Sequence, residues 1–337
     1  MKKKEPPKRR PVRKARSLKA AALAKSAAPA ERSSWWRVAV ALAAAVAVAF
    51  GAFRTVRAKV AQHVLLESVG PLVPQGDQPG NLSGMMAIKA DGAGGIFTLS
   101  RVSGPLWRVQ HFDAGLVREG HAELLTKTVG ELSDLAVLPD GGLWLANLSG
   151  ALIRLDPGLK PVPRGQVKTG RSELRSLDRL PDGRLLALDV AGSALVFLDA
   201  QGKFLQETPV KSASGAHCVA LVPEGLAWLE FRDMQTWVRV LDLDGKTLRR
   251  FLVQGVNASP PDRLAASGEA LIINDSAGAL GVVFYTVRGR PLGNNLGVGS
   301  SSIVNPGFVA GDPAGGIAYI HFGPGLIKVR LPWREIP

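Results

Sequence analysis

The chain has 337 residues and a formal net charge of +14, a balance that first suggests a nucleic-acid partner. The excess is local: residues 1–37 carry 13 Lys and Arg against two acids, whereas residues 61–337 carry 26 charges of each sign. A neutral domain has little of the field that displaces counterions from a phosphate backbone, so no nucleic-acid partner is expected. The single cysteine, Cys218, excludes an intramolecular disulfide.

The N-terminus reads as a tail followed by a membrane anchor. Residues 1–34 are rich in Lys, Arg, Ala and Pro and predict a disordered basic tail. Residues 38–53 contain no charge, and as a helix they would span about 24 Å of the roughly 30 Å bilayer core. Interfacial Trp and snorkelling Arg side chains flank them, namely Trp35, Trp36, Arg37 and Arg54. We predict a transmembrane signal-anchor helix over residues 35–57.

The charge bias of this segment also predicts its orientation. Lys and Arg on the N-terminal side favour a cytoplasmic tail and an exported domain, which in a bacterium means the inner membrane and the periplasm. Two alternatives remain at this point. Ala47-Val48-Ala49 has the small-x-small form of a signal-peptide cleavage site, and the Arg-rich, acid-poor N-terminus also fits a transit peptide.

A motif recurs six times between residue 91 and the C-terminus. Each copy has a turn rich in Asp, Gly and Pro, an apolar strand, a small-residue hairpin, and a second apolar strand that ends near Asp-x-x-Gly. Equivalent turn positions are spaced 42–49 residues apart and are Asp91, Asp140, Asp182, Glu224, Ser267 and Asp312. A period of about 40–50 residues with several short strands is typical of a β-propeller blade.

The repeats therefore predict an all-β fold, a six-bladed β-propeller over residues 60–337 with four strands in each blade. In the third unit we expect strands over residues 175–180, 185–188, 194–198 and 204–210. The last unit stops after a strand over residues 326–330, whereas the strand-like segment at residues 63–69 has no blade of its own. We predict that this segment supplies the outer strand of the last blade and closes the ring.

The unit "LWLANLSGALIRLDPG", residues 143–158, resembles the repeat of NHL-type six-bladed propellers. The wider relatives are the gluconolactonase-like (regucalcin-like) and strictosidine-synthase-like propellers, and the resemblance covers about residues 85–332. It implies the architecture strongly and the activity weakly, because propellers carry many unrelated functions. Gluconolactonase-like propellers hold a divalent metal at one end of the central channel with a mixed Glu, Asn and Asp set.

Aligning the six turns produces one column of polar residues near the end of the second strand: Ser100, Asn147, Asp189, Glu230, Asn274 and His321. Under the resemblance, Asn147, Asp189, Glu230, Asn274 and His321 become candidate metal or ligand residues. Such oxygen ligands suit Ca²⁺ or another divalent cation, although no cofactor is firmly predicted. The alternative is structural, because Asp and Asn here would hydrogen-bond the hairpin backbone.

The sequence contains a full set of structural repeats and no recognisable catalytic constellation, so no catalytic residue is assigned. We therefore expect a membrane-anchored binding scaffold that docks a protein or glycan partner through loops on a rigid disc. The alternative function is a metal-dependent lactonase or esterase-like hydrolase in the central channel, where a metal would polarise a carbonyl and activate water.

Overall fold

The computed structural model describes residues 67–210, 219–254, 263–275, 281–295, 307–323 and 325–332. The predicted basic tail and the predicted anchor, with Trp35, Trp36, Arg37 and Arg54, lie outside these ranges. In the part of the chain that is described, no helix is long and apolar enough to cross a membrane.

The described chain begins with two short strands, β1 (Glu67–Ser68) and β2 (Val73–Pro74). Blade 1 contains β3 (Met85–Ala90), β4 (Ile96–Val102), β5 (Leu106–Phe112) and β6 (Arg118–Leu125), followed by the single-turn helix α1 (Thr126–Val129). Blade 2 contains β7 (Leu132–Val137), β8 (Leu143–Asn147), β9 (Ala151–Leu155) and β10 (Pro161–Lys168). Blade 3 contains β11 (Leu174–Arg179), β12 (Leu185–Asp189), β13 (Ala194–Leu198) and β14 (Phe204–Pro209).

The second half of the ring repeats this plan. Blade 4 contains β15 (Val219–Val222), β16 (Gly225–Arg232), β17 (Gln235–Leu241) and β18 (Thr247–Leu252). Blade 5 contains β19 (Arg263–Ser267), β20 (Ala270–Asp275), β21 (Gly281–Thr286) and β22 (Pro291–Asn295). Blade 6 contains β23 (Phe308–Gly311), β24 (Ile317–Phe322) and β25 (Gly325–Arg330), to which β1 and β2 add.

Each blade is an antiparallel sheet, and consecutive inner strands of neighbouring blades contact one another around a central channel. The prediction of a six-bladed all-β propeller is confirmed. The third blade matches its predicted strands within one residue at every strand end. The sheets bury apolar side chains between blades, as in the cluster that joins Leu186 of blade 3 to Trp228 of blade 4.

The ring is closed by residues that precede blade 1. Strand β1 pairs antiparallel with β25 through Glu67 opposite Arg330 and Ser68 opposite Val329. Strand β2 continues along the other end of β25, with Val73 opposite Leu326. The predicted closure is confirmed for Glu67 to Val69, and the rest of the predicted segment lies outside the described residues. Closure covers an edge of blade 6 that would otherwise present unpaired backbone groups.

The seam between blades 6 and 1 carries a second set of bonds. The hydroxyl of Tyr319 donates to the carbonyl oxygen of Gly94 at 2.6 Å. The ammonium of Lys328 donates to the carbonyl oxygens of Gly94 and Ala114, each at 2.8 Å. Lys328 is buried, and these bonds satisfy a charge that would be costly to leave without partners. The first and last blades are thus joined by side chains as well as by β1.

The Asp-x-x-Gly segments at the ends of the third strands form tight turns that the Asp side chains stabilise. In blade 3, Oδ1 of Asp199 accepts hydrogen bonds from the backbone amides of Gln201 at 3.0 Å and Lys203 at 2.8 Å. Gly202 adopts φ 82°, a left-handed conformation that costs glycine little. Equivalent bonds are made by Asp113, Asp156 and Asp242. The Asp side-chain bonds and the glycine conformation together account for this part of the repeat as turn structure.

We predict that Val73→Ala lowers the free energy of unfolding by about 1–3 kcal/mol, since it deletes buried methyl groups at the closure. Val73 is 3% exposed and packs in the cluster with Leu82, Tyr319 and Leu326. Leu72→Ala is the matched control, because Leu72 is 45% exposed and should change stability by less than about 0.5 kcal/mol. Urea unfolding measures both, and equal effects of the two substitutions would contradict the observed closure.

Candidate functional site

The predicted polar column lies at one rim of the channel. Asn147 pairs with Leu132, and Asp189 pairs with Leu174, which are the first residues of inner strands β7 and β11. Asn274 and His321 likewise pair with the first residues of β19 and β23. The structure therefore places these four side chains on one rim, one each from blades 2, 3, 5 and 6.

Asn147 and Asp189 are bound to the backbone of their own surroundings. Oδ1 of Asn147 accepts bonds from the amides of Ser149 at 3.1 Å and Ala151 at 2.8 Å, and Nδ2 donates to the carbonyl of Val129 at 2.9 Å. Oδ1 of Asp189 accepts a bond from the amide of Gly192 at 2.9 Å. Hydrogen bonds of this kind to the hairpin backbone are what the structural interpretation of the polar column predicted.

Glu230 has a different role. Its carboxylate is ion-paired with Arg239, a cross-strand neighbour on β17, and with Arg250 on β18 at 3.2 Å. The guanidinium of Arg250 also lies 4.2 Å from the ring centroid of Trp237. Glu230 is 7% exposed, so the two guanidinium groups compensate a carboxylate that has lost most of its water. The result is a charge ladder across three strands of blade 4.

Asn274 contacts the chain that enters blade 6, and His321 contacts the segment that follows β2. Nδ2 of Asn274 donates to the carbonyl of Gly307 at 3.2 Å. Nε2 of His321 lies 3.2 Å from the side-chain nitrogen of Gln75, and burial lowers the pKa of the imidazole. The neutral ring thus faces the segment between β2 and β3 that leads into blade 1.

Two of the candidate metal ligands in the polar column are already engaged by protein partners. The oxygen of Asn147 is engaged by hydrogen-bond donors, and Glu230 is engaged by two cations. Within the described ranges, no group of three or more His, Cys, Asp or Glu side chains is placed to hold a metal ion. The assignment of these five residues as a metal or ligand site stays a prediction.

A cavity of about 890 Å³ opens at the opposite end of the channel. Its lining comes from all six inner strands, including the whole of β15, and from the turns that follow them. Those turns bring Pro139, Pro181, Pro223 and Pro313 to the mouth, where the ring of proline restricts backbone motion. Because an inner strand of six residues spans about 17 Å, the cavity and the polar column occupy different ends of the disc.

The inner strands of blades 1–3 differ from those of blades 4–6. Register shifts interrupt β3 between Met85 and Ala87, β7 between Leu132 and Asp134, and β11 between Arg175 and Asp178. Ser176, inside the third shift, adopts φ 50°. In contrast, β15, β19 and β23 pair with their neighbours in unbroken register over the described residues. Bulges of this kind redirect side chains.

The three shifted strands carry charges that meet across the channel. The ammonium of Lys89 in blade 1 lies 3.2 Å from Oδ2 of Asp178 in blade 3 and 3.7 Å from Oδ2 of Asp134 in blade 2. Each carboxylate also accepts a bond of 2.8 Å from the backbone amide of the next residue, Leu135 or Arg179. This charge cluster, Lys89 with Asp134 and Asp178, links three blades at the channel wall.

Burial raises the pKa of the Asp134 carboxyl above its ordinary value of 3.8, and Lys89 and the backbone amide of Leu135 partly offset that rise. The Asp178 carboxylate nearby raises the pKa further, and Arg263 of blade 5 lowers it. Desolvation is the largest of these effects, as expected for a carboxylate in the interior of the ring.

The remaining walls of the cavity are of two kinds. Blades 4–6 contribute aliphatic lining from residues 219–222, 264–266 and 309–310. Blade 1 contributes Asp91, whose Oδ2 lies 3.1 Å from Nε2 of His111 and whose Oδ1 accepts backbone bonds. The cavity is therefore amphipathic, with a charged side formed by blades 1–3 and an apolar side formed by blades 4–6.

This cavity and its charge cluster were not among the sites predicted from the sequence. The signal available was a break in the apolar inner strands: Lys89, Asp134 and Asp178 each interrupt a strand that should be buried. The three charges are 44 or 45 residues apart, close to the repeat period, so they occupy similar positions in successive blades. Charges of both signs at equivalent positions of the inner strands therefore predict a cluster of charged side chains in the central channel.

Comparisons with known proteins support the architecture. No protein-family model matches the chain, and no curated protein matches it. Among solved structures, a streptogramin B lyase superposes with a TM-score of 0.52 at 14% identity, covering 79% of this chain and 87% of that one. Virginiamycin B lyase from Staphylococcus aureus gives 0.52 at 13% identity, with 79% and 99% covered. The RRP9 WD40 repeats give 0.54 at 11% identity, also with 79% and 99% covered.

At these identities the likeness shows the fold. The chain is a six-bladed β-propeller whose neighbours include lyase and WD40 propellers. Its blades resemble those of WD40 propellers in architecture.

We predict that Asn147→Ala destabilises the fold by about 1–3 kcal/mol, since buried backbone amides lose their acceptor. Asp140→Ala is the control, because the Asp140 side chain is 57% exposed and its ion pair with Arg154 should contribute less than about 1 kcal/mol. Thermal unfolding of metal-stripped protein, with and without Ca²⁺, should give the same midpoint for wild type. A saturable, Ca²⁺-dependent rise in the unfolding midpoint that Asn147→Ala abolishes would contradict this prediction and support a metal site.

We also predict a pH signature for Asp134. A native pKa above 3.8 means that the folded state keeps a proton which the unfolded state has released, so stability falls as pH rises through that window. Relative to Asp134→Asn, wild type should therefore lose stability between pH 3.8 and the native pKa, and the difference should then level off.

Asp182→Asn provides a control of opposite sign. The hydrogen bond from Arg184 lowers the pKa of Asp182, so its contribution is present above pH 3.8 and is lost as pH falls through the lower native pKa. Urea unfolding at a series of pH values measures both differences. A pH-independent difference for Asp134→Asn would contradict the burial of that carboxyl.

Proposed function

We propose that this propeller is a binding scaffold that docks a partner protein over the cavity face of the disc. The observation that supports the proposal is the cavity of about 890 Å³, which all six blades line and turns surround. Loops on a rigid framework are common binding elements, and a cavity at the centre of such a loop ring gives a partner an anchoring point.

The scaffold is further proposed to belong to a membrane-anchored, exported protein. Residues 38–53, flanked by Trp35, Trp36, Arg37 and Arg54, support a single-pass anchor, and the basic residues before them support a cytoplasmic N-terminus. A place in the NHL-repeat or gluconolactonase-like superfamily is likewise proposed from the repeat. The hairpin bond of Asn147 and the turn bonds of Asp199 are consistent with that repeat.

The alternative function, a metal-dependent hydrolase, receives less support from the geometry. It would require Asn147 and Glu230 to leave their present partners and bind a metal instead. A glycan partner stays an alternative occupant of the same face. The lyases among the structural neighbours share the fold with this chain at 12–14% identity, which supports no transfer of their activity.

We predict that a photo-cross-linking residue at position 93 captures a protein partner in native membranes, whereas the same residue at position 103 does not. Ala93 is an exposed residue of the cavity mouth, and Ser103 is an exposed residue of the β4–β5 hairpin on the opposite face. Both residues are exposed to solvent, but they lie on opposite faces of the propeller disc.

The readout is a discrete cross-linked adduct, and mass spectrometry identifies the partner in it. The purified partner is then tested for binding to wild type and to Pro181→Asp, a substitution that alters the cavity mouth. Selective capture at position 93 and weaker binding by Pro181→Asp are the expected results. Equal capture at both positions, or capture at position 103 alone, would overturn the proposed docking face.

A further inference from the structure

The cavity contains a cation that its surroundings leave available. Arg179, the last residue of β11, lines the cavity and is half-buried. Its guanidinium makes no hydrogen bond or ion pair with any residue in the described ranges, whereas its backbone amide is bound by Asp178. A half-buried guanidinium presents up to five donors, and a cavity-facing one is well suited to receive an anion.

The carboxylates that line the cavity are already engaged. Asp178 is paired with Lys89 at 3.2 Å. Asp91 is held by His111 and by the backbone amides of Ala93 and Gly95. Within the described residues, no neighbouring acid pairs with the Arg179 guanidinium, and Arg179 lines the cavity.

The remaining lining defines what else the occupant must carry. Blades 4–6 present only aliphatic side chains and glycine or proline backbone to the cavity along residues 219–223 and 309–311. Such a wall binds hydrocarbon by removing it from water.

We propose that the cavity binds an aliphatic carboxylate, with Arg179 receiving the carboxylate in a bidentate pair and blades 4–6 covering the hydrocarbon. Arginine and carboxylate match in geometry, and charge-assisted bonds of this kind are among the stronger ones in proteins. The inference rests on the proposed binding function, because it names the chemistry of the group that enters the same cavity. That group is either a free aliphatic acid or the carboxyl terminus of a peptide.

Four small probes test the proposal on the full-length protein. Hexanoate represents a free acid and N-acetyl-leucine a peptide terminus, while hexanamide and N-acetyl-leucinamide keep the shape and remove the charge. Thermal unfolding midpoints and calorimetric titration measure binding. At least one of the two acids should bind and raise the midpoint, its amide should not, and the acid that binds identifies the source.

Variants locate the site. Arg179→Ala should weaken binding of the acid by about ten- to a hundredfold, as expected for loss of a charge-assisted pair. Arg179→Lys should recover part of the affinity. Arg175→Ala is the matched control on the same strand, since Arg175 is paired with Glu173 at 3.2 Å and lies at the far end of β11. Leu221→Asp, on the apolar wall, should weaken binding while Arg179 is intact.

The proposal is overturned if neither acid binds wild type, or if Arg179→Ala, folded with a wild-type circular dichroism spectrum, binds the acid as well as wild type does. The result is separable from the docking test. Capture at position 93 without binding of either acid would remove the ligand inference and leave the proposed function. Arg179-dependent binding of an acid without capture at position 93 would contradict the proposed protein docking and support the ligand site.

Discussion

The fold depends on completing blade 6 with residues that precede blade 1. Strand β25 would expose a long edge if β1 and β2 did not pair with it. Tyr319 and Lys328 then hold the seam by donating to carbonyl groups of blade 1. The central cavity depends on this closure, because its lining comes from all six inner strands.

Within the closed ring, the two ends of the channel serve different purposes. At one rim, polar side chains such as Asn147 and Asp189 hold hairpins, which contributes to stability. At the other end, the inner strands of blades 1–3 are shifted in register and bring Lys89, Asp134 and Asp178 together. A propeller of identical blades would have a symmetric channel; the shifts in half of the blades give this one a charged side and an apolar side.

Much of the fold was predictable because it rests on local chemistry. The Asp-Gly turns and the Asp-x-x-Gly hairpins depend on residues within four positions of each other, and they were placed correctly in blade 3. The closing strand was predictable because the last blade lacked an outer strand and a strand-like segment before blade 1 had no blade of its own. These inferences needed repeat length and turn chemistry alone.

The site was less predictable because it depends on long-range geometry. Alignment identified Glu230 as equivalent to Asn147, yet their partners differ: arginines on two neighbouring strands for Glu230, and the local backbone for Asn147. The contact of Lys89 with Asp178 joins residues of different blades and follows register shifts that no short motif encodes. Sequence equivalence gives the position of a side chain in a blade, whereas its partner depends on the neighbouring blades and strands.

A disulfide cross-link measures ring closure most directly. Glu67 and Arg330 are exposed and directly opposite each other in the β1–β25 pair, so Glu67→Cys with Arg330→Cys, in a Cys218→Ser background, places two thiols within bonding range. Mild oxidation of the native protein should join them rapidly, and the bond should raise the unfolding midpoint over that of either single variant. Absence of the cross-link in the native state, or its formation only after unfolding, would contradict a ring closed by residues that precede its first blade.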